Sequence, residues 1–420
     1  MKELLKIKEI VKKQNQWRRK ECLNMIASEN LISPLAEKFL ISDFQNRYNE
    51  HGVKDGEFIT HYQGLKYSVA IEKLCNKIFS ERFKTNFVDT RPIAGVIANL
   101  SVYRAFLKPG DSFLAPGLTA GAHVSSTQYG IAGARGLKSI SMPFDVKRMK
   151  LDIDGTIKLI KKINPKLIMF GRSMFLFPEP IKEIRKHTDA IIVYDAAHVF
   201  GLIYAGFFQN PFKEGADIIT TSTHKTFPGP QGGMVIARNN FDKKNWKRIE
   251  NAIFPGILSN HHIFRLPSLA ITALEMNKFG KVYAQQIIKN AKALAKSLFE
   301  LRFRVLAEDK GFTQSHQVIV DVKKIGGGKE VAEKLERANI IVNKITLPED
   351  TDKDATLNPS GIRIGVQELT RVGMKEKEIE KIAKFFKEVI LEKKDTEKTR
   401  KEVIKFRKNF QKIRYCFKTN

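Results

Sequence analysis

The chain has 420 residues, 42% of them hydrophobic, and carries 73 Lys and Arg against 45 Asp and Glu, a net charge of +28. That length and apolar content suit a globule of two lobes with a large core, and no apolar run approaches the roughly 20 residues that a membrane-spanning helix needs. Three cysteines, Cys22, Cys75 and Cys416, are odd in number, widely separated and without metal-ligand spacing, which argues against a disulfide framework or a metal site and for a reducing, cytoplasmic compartment.

The first 21 residues, MKELLKIKEIVKKQNQWRRKE, are basic and periodic but interrupted by Glu3 and Glu9, and they read as a helical arm rather than a targeting segment. Between residues 87 and 238, seven short β-rich segments (87–93, 112–115, 139–143, 167–171, 191–195, 218–221 and 234–237) alternate with helical ones. That alternation predicts an α/β fold with a mostly parallel seven-stranded sheet covered on both faces. A long helical pattern over 266–301 is expected to bridge the lobes. Beyond it, strands near 318–322, 340–343 and 361–366 and helices near 329–338 and 376–393 read as a smaller C-terminal α+β domain. The expected division is an arm at 1–50, a large domain at 51–280 and a small domain at 281–420.

Residues 398–418 hold about nine basic residues with Phe406, Phe410, Tyr415 and Phe417 interleaved, a pattern that suits stacking on nucleic acid or a terminal helix packed by its aromatic face. A charge of +28 also attracts polyanions nonspecifically, although a lysine-rich solvated surface gives the same count.

Two polar residues at strand ends carry the chemistry. The run AIIVYDAAH (190–198) places Asp195 at the carboxyl end of a buried strand, and TSTHKTFPGPQGG (221–233) places Lys225 just past the next, at the sheet edge where α/β proteins bind ligands. A carboxylate that keeps a pyridinium protonated and an amine that holds an aldehyde as an imine are what pyridoxal phosphate requires. A helix cap for Asp195 and a solvated surface charge for Lys225 are the plain alternatives. Arg363, inside the apolar strand pattern GIRIG, presents either a planar fork for a carboxylate or an outward-facing charge.

YDAAHVFGLIYAG (194–206) followed by TSTHKTFPGPQGG closely resembles the core of the serine hydroxymethyltransferases, fold-type I pyridoxal phosphate transferases. NMIASEN (24–30), NRYNE (46–50) and SGIRIG (360–365) resemble further signatures of that family, in the family's order. The resemblance implies catalytic work for Lys225, Glu50, His224 and Tyr62. It implies cofactor contacts from Lys225, Asp195, His198, His123 and Ser173, from Gly95 and Val96, and from Tyr48, Ser259 and Asn260. Arg363, Ser28 and Glu50 are implied to hold the amino acid, serine or glycine, and Leu118 and Asn343 a tetrahydropterin carrier. Tyrosines such as Tyr48 and Tyr62 come from the neighbouring subunit in this family, which implies a homodimer with shared active sites.

The chain departs from the pattern at five places, one of them the usual histidine-glycine-glycine-histidine run, which reads Ala120-Gly121-Ala122-His123. The small-polar phosphate loop reads Ala94-Gly95-Val96, the glycine pair after Phe-Pro-Gly reads Ser259-Asn260, paired tyrosines become His61-Tyr62, and an arginine becomes Gln231. The expected function is interconversion of serine and glycine with transfer of a hydroxymethyl group to a tetrahydrofolate-type carrier. The alternatives are a divergent aldolase or α-substitution enzyme acting on another amino acid, one presented on a nucleic acid included, and an inactive RNA-binding relic.

Overall fold

A computed structural model describes residues 1–54, 57–350 and 357–419. The chain divides into two compact units, one formed by Asn30–Ala284 with Tyr415–Asn420 and the other by Met1–Glu29 with Gln285–Arg414. The first 29 residues group with Gln285–Arg414, and residues 30–50 with the rest of Asn30–Ala284.

The first unit is built on seven strands, β1 (Val88–Asp89), β2 (Ser112–Pro116), β3 (Lys138–Met142), β4 (Leu167–Phe170), β5 (Ile191–Asp195), β6 (Ile218–Ser222) and β7 (Gly233–Ala237), in the order β1-β7-β6-β5-β4-β2-β3. All seven expected segments are strands. The pairs from β6 through β3 are parallel and β7 runs antiparallel to both its neighbours, so the mostly parallel α/β sheet of the fold-type I class is present. Strands β4 to β7 are almost wholly buried, and β4, β5 and β7 are largely apolar, as expected for a sheet covered on both faces.

On one face, α2 (Gly95–Phe106) lays Ala98, Val102, Ala105 and Phe106 on the sheet, with Ile249 and Ile253 of α3 (Lys243–Ile253) in the same core as Val193, Ile218 and Val235. Each fully buried aliphatic side chain of this kind contributes about 1.5–3 kcal/mol. A second core joins Phe79 of α1 (Lys66–Phe83), Phe200, Tyr204 and Phe227, with ring centroids 5.2 Å apart for Phe200 and Phe227 and 5.3 Å for Tyr204 and Phe227. Phe227 is two residues past Lys225, so this cluster anchors the lysine loop. The long helix α4 (Arg265–Glu300) follows.

The second unit holds a sheet of β8 (Arg304–Val305), β9 (Gln317–Asp321), β10 (Asn343–Ile345) and β11 (Gly361–Gly365) in the order β8-β9-β11-β10, all antiparallel. With α5 (Gly327–Arg337), α6 (Glu376–Ile390) and α7 (Thr396–Arg407) it makes an α+β unit. The N-terminal segment joins it by pairing Leu23 and Asn24 with Ile340 and Ile341. The helix Lys2–Gln14 ahead of that pairing buries none of its residues.

The aromatic tail packs inward. Phe406 meets Phe385 at 5.9 Å and Phe410 at 5.3 Å, while the buried Arg407 donates to the carbonyls of Cys22, Arg19 and Phe410. Tyr415 lies against Tyr283 and Phe417 against Phe279. Of the two readings of this segment, the packed helix is the one observed. Among the described residues no helix is long and apolar enough to cross a membrane.

Candidate active site

The carboxyl ends of β5 and β6 carry the first group of polar residues. Asp195 closes β5, with Oδ1 accepting from the Ala197 amide at 3.0 Å and Oδ2 from Asn99 Nδ2 at 2.8 Å. It does not cap a helix, since the next one begins only at Phe200. Asn99 of α2 also accepts at Oδ1 from Thr220 Oγ1 at 2.6 Å and donates through Nδ2 to Ser125 Oγ at 3.2 Å, and Ser125 Oγ lies 2.8 Å from His123 Nδ1. One chain of hydrogen bonds thus ties Asp195 to His123 through two residues the sequence reading missed.

Lys225 is 8% exposed, in the loop after β6. That loop is folded tightly on itself, with Gly229 N donating to Thr223 O, Thr223 N to Gly232 O and Thr223 Oγ1 to Pro230 O. Asn30 Nδ2 donates to the Lys225 carbonyl at 2.6 Å. Thr226 Oγ1 donates to the His198 carbonyl at 2.8 Å and accepts from Gly201 N at 3.0 Å. A Cβ at Gly201 would lie 2.3 Å from the Thr226 carbonyl group, so glycine is required for this approach. His224 Nδ1 is buried without a hydrogen-bond partner, and burial followed by the charge of Lys225 pulls the imidazole down to about 4, which keeps it neutral at working pH.

The predicted phosphate loop begins α2. A Cβ at Gly95 would sit 2.7 Å from Ser222 Oγ at the end of β6, so the main chain of Gly95 and Val96 is pressed against the strand end. Ala94 offers no side-chain cap there, which leaves the main-chain amides of the first turn as the anion donors. Ser173 donates its amide to Gly121 O at 2.7 Å, holding the Leu118–His123 turn against the loop after β4. Leu118, at the tip of that turn, is 41% exposed.

A second group is held by its own hydrogen bonds. Tyr48 and Tyr62 stack with centroids 5.1 Å apart and are 48% and 39% exposed. Desolvation first, and then the Glu50 carboxylate bonded to it, raises the Tyr62 hydroxyl above its ordinary range. Asn260 Oδ1 accepts from the Asn49 amide at 2.9 Å and its Nδ2 donates to Arg47 O at 3.3 Å, while its neighbour Ser259 is exposed. The side-chain amide of Asn260 is therefore committed to the segment that carries Tyr48 and Glu50.

In the second unit Arg363 is 8% exposed, on the central strand β11, and burial pulls its guanidinium down to about 10. The outward-facing alternative is thereby removed. Its Nε donates to Asn343 Oδ1 at 3.3 Å, so the structure brings these two predicted residues together across β10 and β11. Ser28 lies in a turn pinned at the end of the same strand, where Gln367 Nε2 donates to the carbonyls of Ile26 and Glu29, and His316 Nε2 lies 3.0 Å from Ala27 O.

The residues missed by sequence reading had a signal. Asn99 is a polar residue amid the apolar run GVIANL, and Glu72 is a charge at position 72 of a buried stripe 68, 72, 75, 79 on α1.

The arrangement fits pyridoxal phosphate: a buried lysine beside an orphaned imidazole nitrogen, a carboxylate oriented by an amide at a strand end, and a helix start pressed into a strand end by a glycine. The family model for serine hydroxymethyltransferase matches residues 2–386. The chain is 50% identical over 419 residues to the serine hydroxymethyltransferase of Saccharolobus islandicus (strain M.14.25 / Kamchatka #1), covering 99% of this chain and 95% of the relative. It is 49% identical over 418 residues to that of Sulfolobus acidocaldarius, with the same 99% and 95% coverage. Among solved structures it is similar to L-threonine transaldolase from Pseudomonas fluorescens in the internal aldimine state, with a TM-score of 0.90 and 28% identity over 98% of this chain and 93% of that one. A match that spans nearly the whole chain, joined to this geometry at the sheet edge, establishes that the chain belongs to the serine hydroxymethyltransferase family and that its cofactor is pyridoxal 5′-phosphate.

Proposed function

We propose that the protein interconverts serine and glycine and passes the hydroxymethyl group to a tetrahydropterin carrier of the folate type. The observation that carries this reading is Asp195 fixed by Asn99 at the end of β5, one strand away from the buried Lys225. When bound, the cofactor supplies an electron sink for negative charge at the substrate α-carbon.

The chain's own residues then divide the work. Lys225 supplies the amine that carries the cofactor. Asp195 holds a proton at the ring nitrogen, its carboxylate aimed by the Asn99 amide and the Ala197 N–H. His123, braced by Ser125, would hold the cofactor ring together with Ser173 and His198. The amides of Gly95 and Val96 at the start of α2 hold the phosphate in place of the serine hydroxyls this chain lacks. With the Asn260 side chain committed elsewhere, Ser259 and Asn260 serve the phosphate through their main chain. Arg363, a buried planar fork, takes the substrate carboxylate with Ser28, and Asn343 orients Arg363. Glu50, whose carboxylate raises the Tyr62 hydroxyl, moves the proton of the substrate hydroxyl with Tyr62, and His224 stays neutral beside Lys225.

The active unit is a homodimer. Tyr48 and Tyr62 support this, since two stacked and half-exposed rings beside a proton-handling glutamate are ready to complete a partner's site. Cytoplasmic location is supported by three cysteines free of disulfides, two of which are buried with thiols pushed up to about 12. Affinity for nucleic acid is nonspecific, carried by the +28 charge and not by the tail aromatics, which are occupied in packing.

The test is glycine formation from serine by the purified protein with pyridoxal phosphate, with and without a tetrahydropterin. Carrier-dependent turnover is the expected result. Carrier-independent exchange that prefers threonine would favour the aldolase-type alternative, for which the likeness to a threonine transaldolase is the observation.

A further inference from the structure

Beneath the segment that carries Glu50 lies a buried carboxylate that the mechanism above does not use. Glu72 sits on the inward stripe of α1 at 2% exposure. Three side chains converge on it from two other parts of the chain: Asn49 Nδ2 at 2.6 Å from Oε2, His51 Nε2 at 3.0 and 3.1 Å from the two oxygens, and His261 Nε2 at 2.9 Å from Oε2. The His261 contact has an ion-pair distance without hydrogen-bond alignment. Burial pushes the Glu72 carboxyl up, but His261 and His51 together outweigh it and hold the group well below the ordinary carboxylate range.

An ionised carboxylate in the interior is a poor source of stability, because replacing a buried charged group and its partners by well-packed apolar ones is often neutral or stabilising. What it supplies is geometry. Asn49 and His51 flank Glu50 in sequence, and both reach down to Glu72, while the Glu50 carboxylate raises the nearby Tyr62 hydroxyl. The main chain is held at the same three residues: Asn49 N donates to Asn260 Oδ1, Thr60 Oγ1 to Glu50 O at 2.6 Å, and Arg91 Nη1 to His51 O at 3.2 Å. Arg91 is itself fixed by the buried Asp89, with Nη2 to Oδ2 at 2.6 Å.

We propose that Glu72 is a positioning residue for the reaction: by gripping Asn49 and His51 on either side of Glu50, and His261 next to the Ser259-Asn260 segment, it fixes the Glu50 carboxylate where the substrate hydroxyl is deprotonated. This rests on the reading of Glu50 given above. Glu72 touches neither substrate nor cofactor and acts through Glu50. A glutamine at this position keeps the shape but turns an NH2 group toward donors, so at least one of the three contacts is lost.

The experiment is a double-mutant cycle on the holoenzyme, with kcat and KM for serine and the visible absorption of the bound cofactor measured for Glu72→Gln, Glu50→Gln and the pair. Glu72→Gln is expected to lower kcat about tenfold or more, as a displaced catalytic group does, with cofactor absorption and KM little changed. In the Glu50→Gln background it is expected to have no further effect within about twofold, because both changes remove the same function. Equal, additive losses in the two backgrounds, or a loss confined to cofactor binding, would overturn the positioning role while leaving the reading of Glu50 intact. Full activity in Glu50→Gln alone would overturn both. Should Glu72→Gln fail to fold, Asn49→Ala, which removes one tether and leaves both histidines on the carboxylate, carries the same cycle with the same criteria.

Discussion

The two polar groups of the first unit are assembled in different ways. Around Lys225 and Asp195, the reactive side chains stand at the ends of adjacent parallel strands, and their supports are short links from α2 and from the loop itself. Around Glu50, the side chains of residues 49, 51 and 261 are gathered on one buried carboxylate of α1, and the main chain is held by Asn260, Thr60 and Arg91. The first arrangement follows from the sheet, because a parallel strand delivers its last polar residue to the same edge as its neighbour's. The second follows from no regular element. On the proposed function, the cofactor residues are positioned by topology, and the glutamate assigned to the substrate hydroxyl by buried side-chain contacts.

The largest effect that sharpens this contrast is expected at Asp195. Asp195→Asn keeps the shape but removes the charge, and is expected to lower kcat on the order of a hundredfold or more with the fold retained, measured by steady-state turnover and circular dichroism. Next comes Gly95→Ala, whose Cβ would press on Ser222 Oγ at 2.7 Å. Overpacking of this kind costs about 1–3 kcal/mol, which predicts roughly ten- to hundredfold weaker binding of pyridoxal phosphate by titration, partly restored by Ser222→Ala in the same protein. Unchanged affinity would mean that the start of α2 does not hold the phosphate.

Asn99→Ala removes one hydrogen bond to the Asp195 carboxylate and is expected to lower kcat about five- to tenfold, well short of Asp195→Asn. An equal loss from both would show that orientation, and not charge, is what Asp195 provides. The smallest effect is in pH dependence. His224 titrates near 4 in the folded chain against an ordinary 6.5, so the unfolded chain binds the extra proton and stability is lost as pH falls from about 6.5 toward 4. Glu72 is depressed as well, and its contribution is lost only as pH falls below about 4.5. Denaturant unfolding of His224→Asn is expected to flatten the limb between about pH 6.5 and 4, and Glu72→Gln only the limb below 4.5.

The same division explains what was legible in the sequence. The seven strands could be read because β-branched runs such as AIIVYD end in one polar residue and recur at helical intervals, and the family signatures fell on those strand ends. The C-terminal sheet could be read for the same reason, with β9 and β11 each within one residue of the expected segment at either end. The pairing of Leu23 and Asn24 with Ile340 and Ile341 could not, since a two-residue strand has no periodicity and its partner lies more than 300 residues away. Asn99 and Glu72 escaped because each supports a site residue from a helix whose own pattern is satisfied by packing. The fate of the tail aromatics also depended on tertiary contacts, since the composition of residues 398–418 serves a packed helix and a nucleic-acid surface equally.

The central claim is that Lys225 is the residue that carries the cofactor. The most direct measurement is borohydride reduction of the protein saturated with pyridoxal phosphate, followed by proteolysis and mass mapping of the modified peptide, with Lys225→Ala treated in parallel. One reduced cofactor adduct, on Lys225, is expected, together with a visible absorption band that is present before reduction, is bleached by borohydride and is absent from the variant. An adduct on another lysine, or an undiminished band in Lys225→Ala, would contradict that claim.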